Sequence, residues 1–419
     1  MTNLRTLGND LGLRPGDWVE VKSADEVLAT LDNRGCLDAL PFMPEMLQYC
    51  GKRFAVAASA HKTCDTIGQA KNRLMTNAVH LDGLRCDGMA HGGCQARCLL
   101  FWKTAWLNPV PAPGSTAVPS HTVRQTIRTV QQQKHCDLAA LTRATRAPGF
   151  EAGQTEERYS CQATDLTQAT TPVEWWDPRQ YVKDLVTNNV RPHDFIYYVS
   201  IAAYNVFARS YERLLGHVVS FSPINKLRGR LDQAKEAPAI KADQQPTGGA
   251  HPKPSAQKST SRRRTKNPVI ALVSPLRQLG RRFTSWLVPY PYIKGIAGAK
   301  TPYEVKNLQP GEIVQVRSKE EIARTINRER RNRGLKFDRE MVPYCGQDFR
   351  VLCRVEKIIN DRNGKMMHLP NTCIILDGVT CSGCLSQRRL FCPRKIYPYW
   401  REIWLKRVPD SQKPDGSSS

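Results

Sequence analysis

The chain of 419 residues lacks any apolar run of the roughly 18 residues that a membrane-spanning helix needs. Its first ten residues hold no apolar core of a signal peptide, so an unsecreted, cytoplasmic protein is expected. There is no phosphate loop, dinucleotide fingerprint or hydrolase elbow, which removes the commonest nucleotide-dependent and serine-hydrolase classes. Acidic residues are scarce: 38 Asp and Glu stand against 62 Lys and Arg, a net charge of +24. Such an excess predicts a polyanionic partner, either nucleic acid or an anionic membrane surface. The charge is uneven, because residues 225–300 hold sixteen Lys and Arg against three acids.

What the chain has in quantity is cysteine, fourteen in all. In an unsecreted chain, cysteine points to metal binding or catalysis before disulfides. The densest stretch is Cys86-Asp-Gly-Met-Ala-His-Gly-Gly-Cys-Gln-Ala-Arg-Cys98, with the apolar run Leu99 to Trp102 behind it. Glycine allows positive φ and close backbone approach, so such a loop can turn its thiols and His91 toward one point.

The chain also repeats itself. Pro15-Gly-Asp-Trp-Val-Glu-Val21 matches Pro310-Gly-Glu-Ile-Val-Gln-Val316, and Ser23-Ala-Asp-Glu-Val27 matches Ser318-Lys-Glu-Glu-Ile322. Tyr49-Cys-Gly51 and Cys86 match Tyr344-Cys-Gly346 and Cys381, all at an offset of 295 residues. The offset becomes 298 for Cys94/Cys392, Trp102/Trp400 and Trp106/Trp404. The expected fold is therefore α+β: two homologous, small, β-rich domains, metal-stapled, flanking a helical centre. Their bounds are 11–110 and 301–408. Between them lie a mostly helical region, 111–224, and a basic linker, 225–300, with a disordered tail at 409–419. Pro-Gly-Asp-x-Val-x-Val resembles the first strand of SH3-like or barrel-like domains.

Within each copy, Ser23-x-x-Glu26 and Ser318-x-x-Glu321 read as capping boxes that start a short helix. Phe54/Val56 and Val79/Leu81, or Phe349/Val351 and Ile374/Leu376, alternate as strands. Trp102 and Trp106 stand four apart, on one face of a helical turn, and read as a core plug before a stacking platform.

In the centre, Ser120 is expected to cap one helix and Asp177-Pro178 to open another. Asp194 is expected to cap a helix over 195–215, buried in preference to lying on a membrane. A strand is expected over Arg158 to Ala163. The segment Trp175-Trp-Asp-Pro-Arg-Gln-Tyr181 is either a capped helix on an aromatic core or a binding surface.

The metal expectation is specific. Cys64, Cys86, Cys94 and Cys98 should converge in copy one, with His91 as an alternative ligand. Cys345, Cys373, Cys381 and Cys392 form a weaker set in copy two. Thiolates suit Zn²⁺ or an iron–sulfur cluster and not Mg²⁺ or Ca²⁺. A reactive thiol paired with His91 is the catalytic alternative.

Cys86-Asp-Gly-x-x-His-Gly-Gly-Cys94, the Trp-Trp-Asp-Pro-Arg-Gln-Tyr run and Arg389-Leu-Phe-Cys-Pro-Arg394 with Tyr397-Pro-Tyr-Trp-Arg-Glu-Ile-Trp404 resemble a group of uncharacterised bacterial proteins. The resemblance implies a bacterial, cytoplasmic protein and no particular activity. Three readings stand: a metal-binding scaffold for an acidic macromolecule or partner enzyme, an iron–sulfur or reactive-thiol enzyme, and a peripheral membrane protein using 195–215 and 268–296.

Overall fold

In a computed structural model, the structure describes residues 11–68, 72–114, 136–146, 157–204, 206, 290–386 and 388–408. The described residues up to Tyr198 form one compact unit with those from Tyr290 onward, and the described residues from Val199 fall in a second. The first unit is mixed α+β, with several small antiparallel sheets and few helices among the described residues.

Each half of this unit starts from the same local chemistry. Gly16 turns the chain at φ 94°, and its N–H donates to Val56 O at 2.9 Å. The strand Trp18–Val21 then places Val19 and Val21 inward, both fully buried. Ser23 accepts from Glu26 N, and the Glu26 carboxylate accepts from Ser23 N at 2.9 Å, which caps the helix Ala24–Leu28. Val27 and Leu31 pack under it. In the second half, Gly311, the strand Ile313–Val316 and the Ser318/Glu321 box repeat these steps before the helix Lys319–Thr325.

The two five-stranded sheets have the same order of neighbours. In the first it is Trp102–Lys103, Ala78–Leu81, Arg53–Ser59, Trp18–Val21 and Leu107–Val110. In the second it is Trp400–Arg401, Met366–Leu376, Asp348–Ile359, Ile313–Val316 and Leu405–Arg407. The halves diverge after the second strand. The second half continues into a long hairpin, Asp348–Ile359 with Met366–Leu376. In the first half the chain leaves the sheet, and Lys62–Cys64 and Asn72–Leu74 pair with Thr171–Val173 from the centre.

The tryptophans are core, but not on a helical turn. Trp102 lies in a strand and Trp106 closes a 3₁₀ turn, Thr104–Trp106. Both are fully buried, and Phe42 meets them edge-on with centroids 6.2 and 5.1 Å away. Phe337, Trp400 and Trp404 repeat the arrangement at 5.9 and 5.1 Å. Each second indole donates to a threonine: Trp106 Nε1 to Thr30 Oγ1 at 3.0 Å and Trp404 Nε1 to Thr325 Oγ1 at 2.9 Å.

Several expectations for the centre change. Residues 158–163 are turns carrying isolated bridges, Arg146–Tyr159 and Arg158–Lys365, because two separate partners each take one residue. Arg179–Val186 is helical with Pro178 at its cap, and Asp177 accepts from Arg179 N at 2.9 Å. The next helix begins at residue 192, so Asp194 lies in its first turn and does not cap it; Pro192, lacking an N–H, takes the first helical position. That helix is not fully buried, since Ile196 and Tyr197 are 66% and 48% exposed. Residues 290–300 belong with the second core: Ile293 is buried in it and Ile296 N donates to Ala323 O at 2.9 Å. The Ser120 helix, the Arg262–Lys266 run, residues 268–289 and the tail lie outside the described residues.

Candidate metal centre

The cysteine loop is clamped at its base, where Cys86 N donates to Cys98 O at 2.9 Å. It then folds back on itself. Gly93 N donates to Gly88 O at 2.8 Å, and Gly88 takes φ 77°. A Cβ at Gly88 would lie 2.0 Å from Cys94 O, so only glycine fits. This fold turns His91 inward until its ring is 1% exposed. Opposite it, the 3₁₀ helix Pro44–Tyr49 presents Glu45, also buried.

Glu45, Cys86 and His91 form a buried group whose ligand atoms all lie within 4.8 Å of one another. Cys86 Sγ donates to Glu45 Oε1 at 3.3 Å and lies 3.4 Å from His91 Nε2. His91 Nδ1 is 3.7 Å from Glu45 Oε1. Two buried atoms of this group have no hydrogen-bond partner, Glu45 Oε2 and His91 Nδ1. Burial raises the Glu45 carboxyl and the Cys86 thiol and lowers His91 to about 4. All three are thereby driven toward their uncharged forms. A thiolate–imidazolium pair, which nucleophilic catalysis needs, is disfavoured here. A cation would supply the charge that makes thiolate and carboxylate stable at the same point.

The second half answers the same position differently. Glu340 stands 295 residues after Glu45, and its carboxylate is saturated by protein donors. Ser382 Oγ donates at 2.7 Å, Ser382 N at 3.1 Å and Leu385 N at 2.8 Å.

The structure brings Cys86 and His91 together and adds Glu45. It does not gather the other expected thiols into that group. Cys94 and Cys98 line a cavity of about 30 Å³ beside it, with Cys161 from the centre. Cys94 Sγ accepts from Ile359 N at 3.4 Å. Cys64 lies elsewhere: its N–H donates to Cys392 Sγ at 3.1 Å, because the strand Lys62–Cys64 leaves the sheet toward the second half. A hydrogen bond between the two thiols pulls the Cys64 thiol down, aided by Arg394 and against burial, while Cys392 is pushed up.

The copy-two set is dispersed in the same way. Cys373 accepts from Arg401 Nη1 at 3.4 Å, Cys345 packs half-buried on the second core, and Cys381 neighbours Glu340. Among the described residues, no group of three such ligands forms there.

Glu45 was legible only as the acid before Met46, repeated as Glu340 before Met341. Cys161 carried no spacing signal. No family model, curated protein or solved structure matches this chain. No helix among the described residues is long and apolar enough to cross a membrane.

Proposed function

We propose that the chain is a metal-binding scaffold in which Glu45, Cys86 and His91 hold one divalent cation, zinc by the chemistry of the donors. The observation that carries this reading is the contrast between Glu45 and Glu340. One buried carboxylate is saturated by Ser382 and Leu385; the other keeps an orphan oxygen, beside an orphan imidazole nitrogen. Native proteins rarely leave such atoms unpaired.

One thiolate, one imidazole and one carboxylate are a zinc donor set. An iron–sulfur cluster draws chiefly on several thiolates, and only one thiol joins this group. The adjoining cavity favours a structural role. Its 30 Å³ accommodates about one water or one swung thiol, not a substrate, so the fourth ligand is water or one of Cys94, Cys98 and Cys161. The matched sheets and the 295-residue offset support descent of the halves from one SH3-like ancestor, with the metal retained in the first. A polyanion or protein partner, met through the basic residues 225–300, completes the scaffold reading.

Elemental analysis of the purified full chain tests this. About one zinc per chain is expected, lost in Cys86→Ser and His91→Ala and kept in Cys345→Ser. Cobalt substitution should give thiolate-to-metal absorbance that Cys86→Ser abolishes. A metal-free protein that also fails to take up zinc or cobalt would sink the reading.

A further inference from the structure

A second cavity, of about 500 Å³, opens beside the small one and shares Ala96, Cys98, Ile359 and Asp361 with it. That volume lies in the range of small-molecule sites. Its walls come from both halves: Thr66 to Ile67 and Ala96 to Leu99 from the first, Ile358 to Arg362 and Arg394 to Tyr399 from the second.

Arg394 decides what this groove is for. Its side chain lines the cavity, yet the residue is only 3% exposed. Its two hydrogen bonds both leave from Nη1 and are long, 3.5 Å to Cys64 O and 3.4 Å to Thr66 Oγ1. No carboxylate among the described residues comes within 4.0 Å of the guanidinium. The nearest acid in the groove, Asp361, accepts from Thr66 Oγ1 at 2.7 Å. Its charge is met by the neighbouring Cys64 sulfur and by Asp361 and not by a contacting carboxylate, and a forked donor of this kind matches phosphate or carboxylate oxygens. Two further cations stand on the rim. Arg362 is held by its own bond to Ile67 O at 2.6 Å, and Arg97 is exposed. Three arginines against one aspartate leave a net charge suited to a dianion. The remaining wall is apolar and aromatic, with Ile358, Ile396, Tyr397 and Tyr399.

We infer that this groove binds a small organic dianion, best a phosphate monoester, with its head on Arg394 and its apolar body along the isoleucine and tyrosine wall. The inference does not depend on the metal, since Glu45, Cys86 and His91 do not line the groove.

Calorimetry on the full chain with phenyl phosphate, inorganic phosphate and phenol tests it. Phenyl phosphate is expected to bind saturably, at least about tenfold tighter than inorganic phosphate, and phenol not at all. Arg394→Met should abolish binding. Because that variant removes a buried group and can misfold, Arg97→Ala and Arg362→Ala on the rim provide the second reading. Each should weaken phenyl phosphate about threefold to tenfold while leaving the melting temperature of the free protein unchanged. No saturable binding of phenyl phosphate up to about 10 mM overturns the proposal. So does binding that both rim variants retain in full, which would assign the phosphate to the basic residues of 225–300.

Discussion

Lys62 and Asp184, 122 residues apart in sequence, form an ion pair in which neither side chain is exposed, with Nζ 2.5 Å from Oδ2. Lys62 also donates to Leu390 O at 2.8 Å and lies 4.8 Å from the centre of the Tyr181 ring. His61 Nε2 comes within 3.1 Å of the other carboxylate oxygen. One lysine thus ties a strand of the first half to the helix Arg179–Val186 and to the second half. Burial alone would lower the lysine; Asp184 opposes this.

Removing one partner strands the other charge in the core. Lys62→Met is expected to cost about 3–5 kcal/mol of unfolding free energy, while Lys62→Met with Asp184→Leu recovers most of it. Urea titrations of the singles and the double provide the cycle. Losses that simply add would show that the pair is not coupled.

Asp87 occupies the position that Ser382 takes in the second half, at the 295-residue offset. Asp87→Ser should place a hydroxyl donor on Glu45, as Ser382 does on Glu340 at 2.7 Å. Once the orphan oxygen is satisfied by protein, zinc affinity is expected to fall about tenfold or more. Competition with a fluorescent chelator measures this, and an unchanged affinity would mean that Glu45 is not a ligand.

The turn at Gly88 combines positive φ with a collision at 2.0 Å. Gly83 has φ 70° and nothing within 4 Å of a built Cβ. Gly83→Ala is therefore expected to cost only the conformational strain, about 1–2 kcal/mol. Gly88→Ala adds displacement of the Cys94 backbone and should cost clearly more, with loss of bound metal. Parallel thermal melts separate the two; equal losses would remove the close-approach argument.

His80 is fully buried, donates from Nδ1 to Leu100 O at 2.8 Å, and packs 4.5 Å from the Phe101 ring. Burial lowers it to about 4, and the positive charges of Arg394, Arg85 and Lys395 act in the same direction. The unfolded chain takes up a proton near pH 6.5, which the native state refuses until about pH 4. Stability from this neutral histidine is thus present above pH 6.5 and lost as pH falls toward 4. His80→Gln should flatten that part of the melting-temperature profile relative to the parent chain. A profile that still tracks the parent between those limits would assign the acid limb to other groups.

Local chemistry made much of the scaffold readable. Pro-Gly turns, the two Ser-x-x-Glu boxes and the alternation at Val19/Val21 and Val314/Val316 act over a few residues, so the sequence alone predicts the first strand and first helix of each half. The 295-residue offset likewise relates strand to strand and Glu45 to Glu340. The Trp102/Trp106 spacing suggested a helical turn and was misleading, because four residues spanning a strand end and a 3₁₀ turn can bury the same two rings.

The sites depended on tertiary placement. Cysteine spacing suggested that Cys64 joins Cys86, yet the route of one short strand carries it across to Cys392 instead. Glu45 reaches Cys86 from forty-one residues away, and Cys161 arrives from the centre. Arg394 has no sequence mark that distinguishes it from sixty-one other basic residues. Periodicity and caps are set by neighbours along the chain, and so belong to the sequence. Which thiol faces which carboxylate, and which arginine is buried without a contacting carboxylate, is set by how the two halves and the centre pack, and only the folded chain decides it.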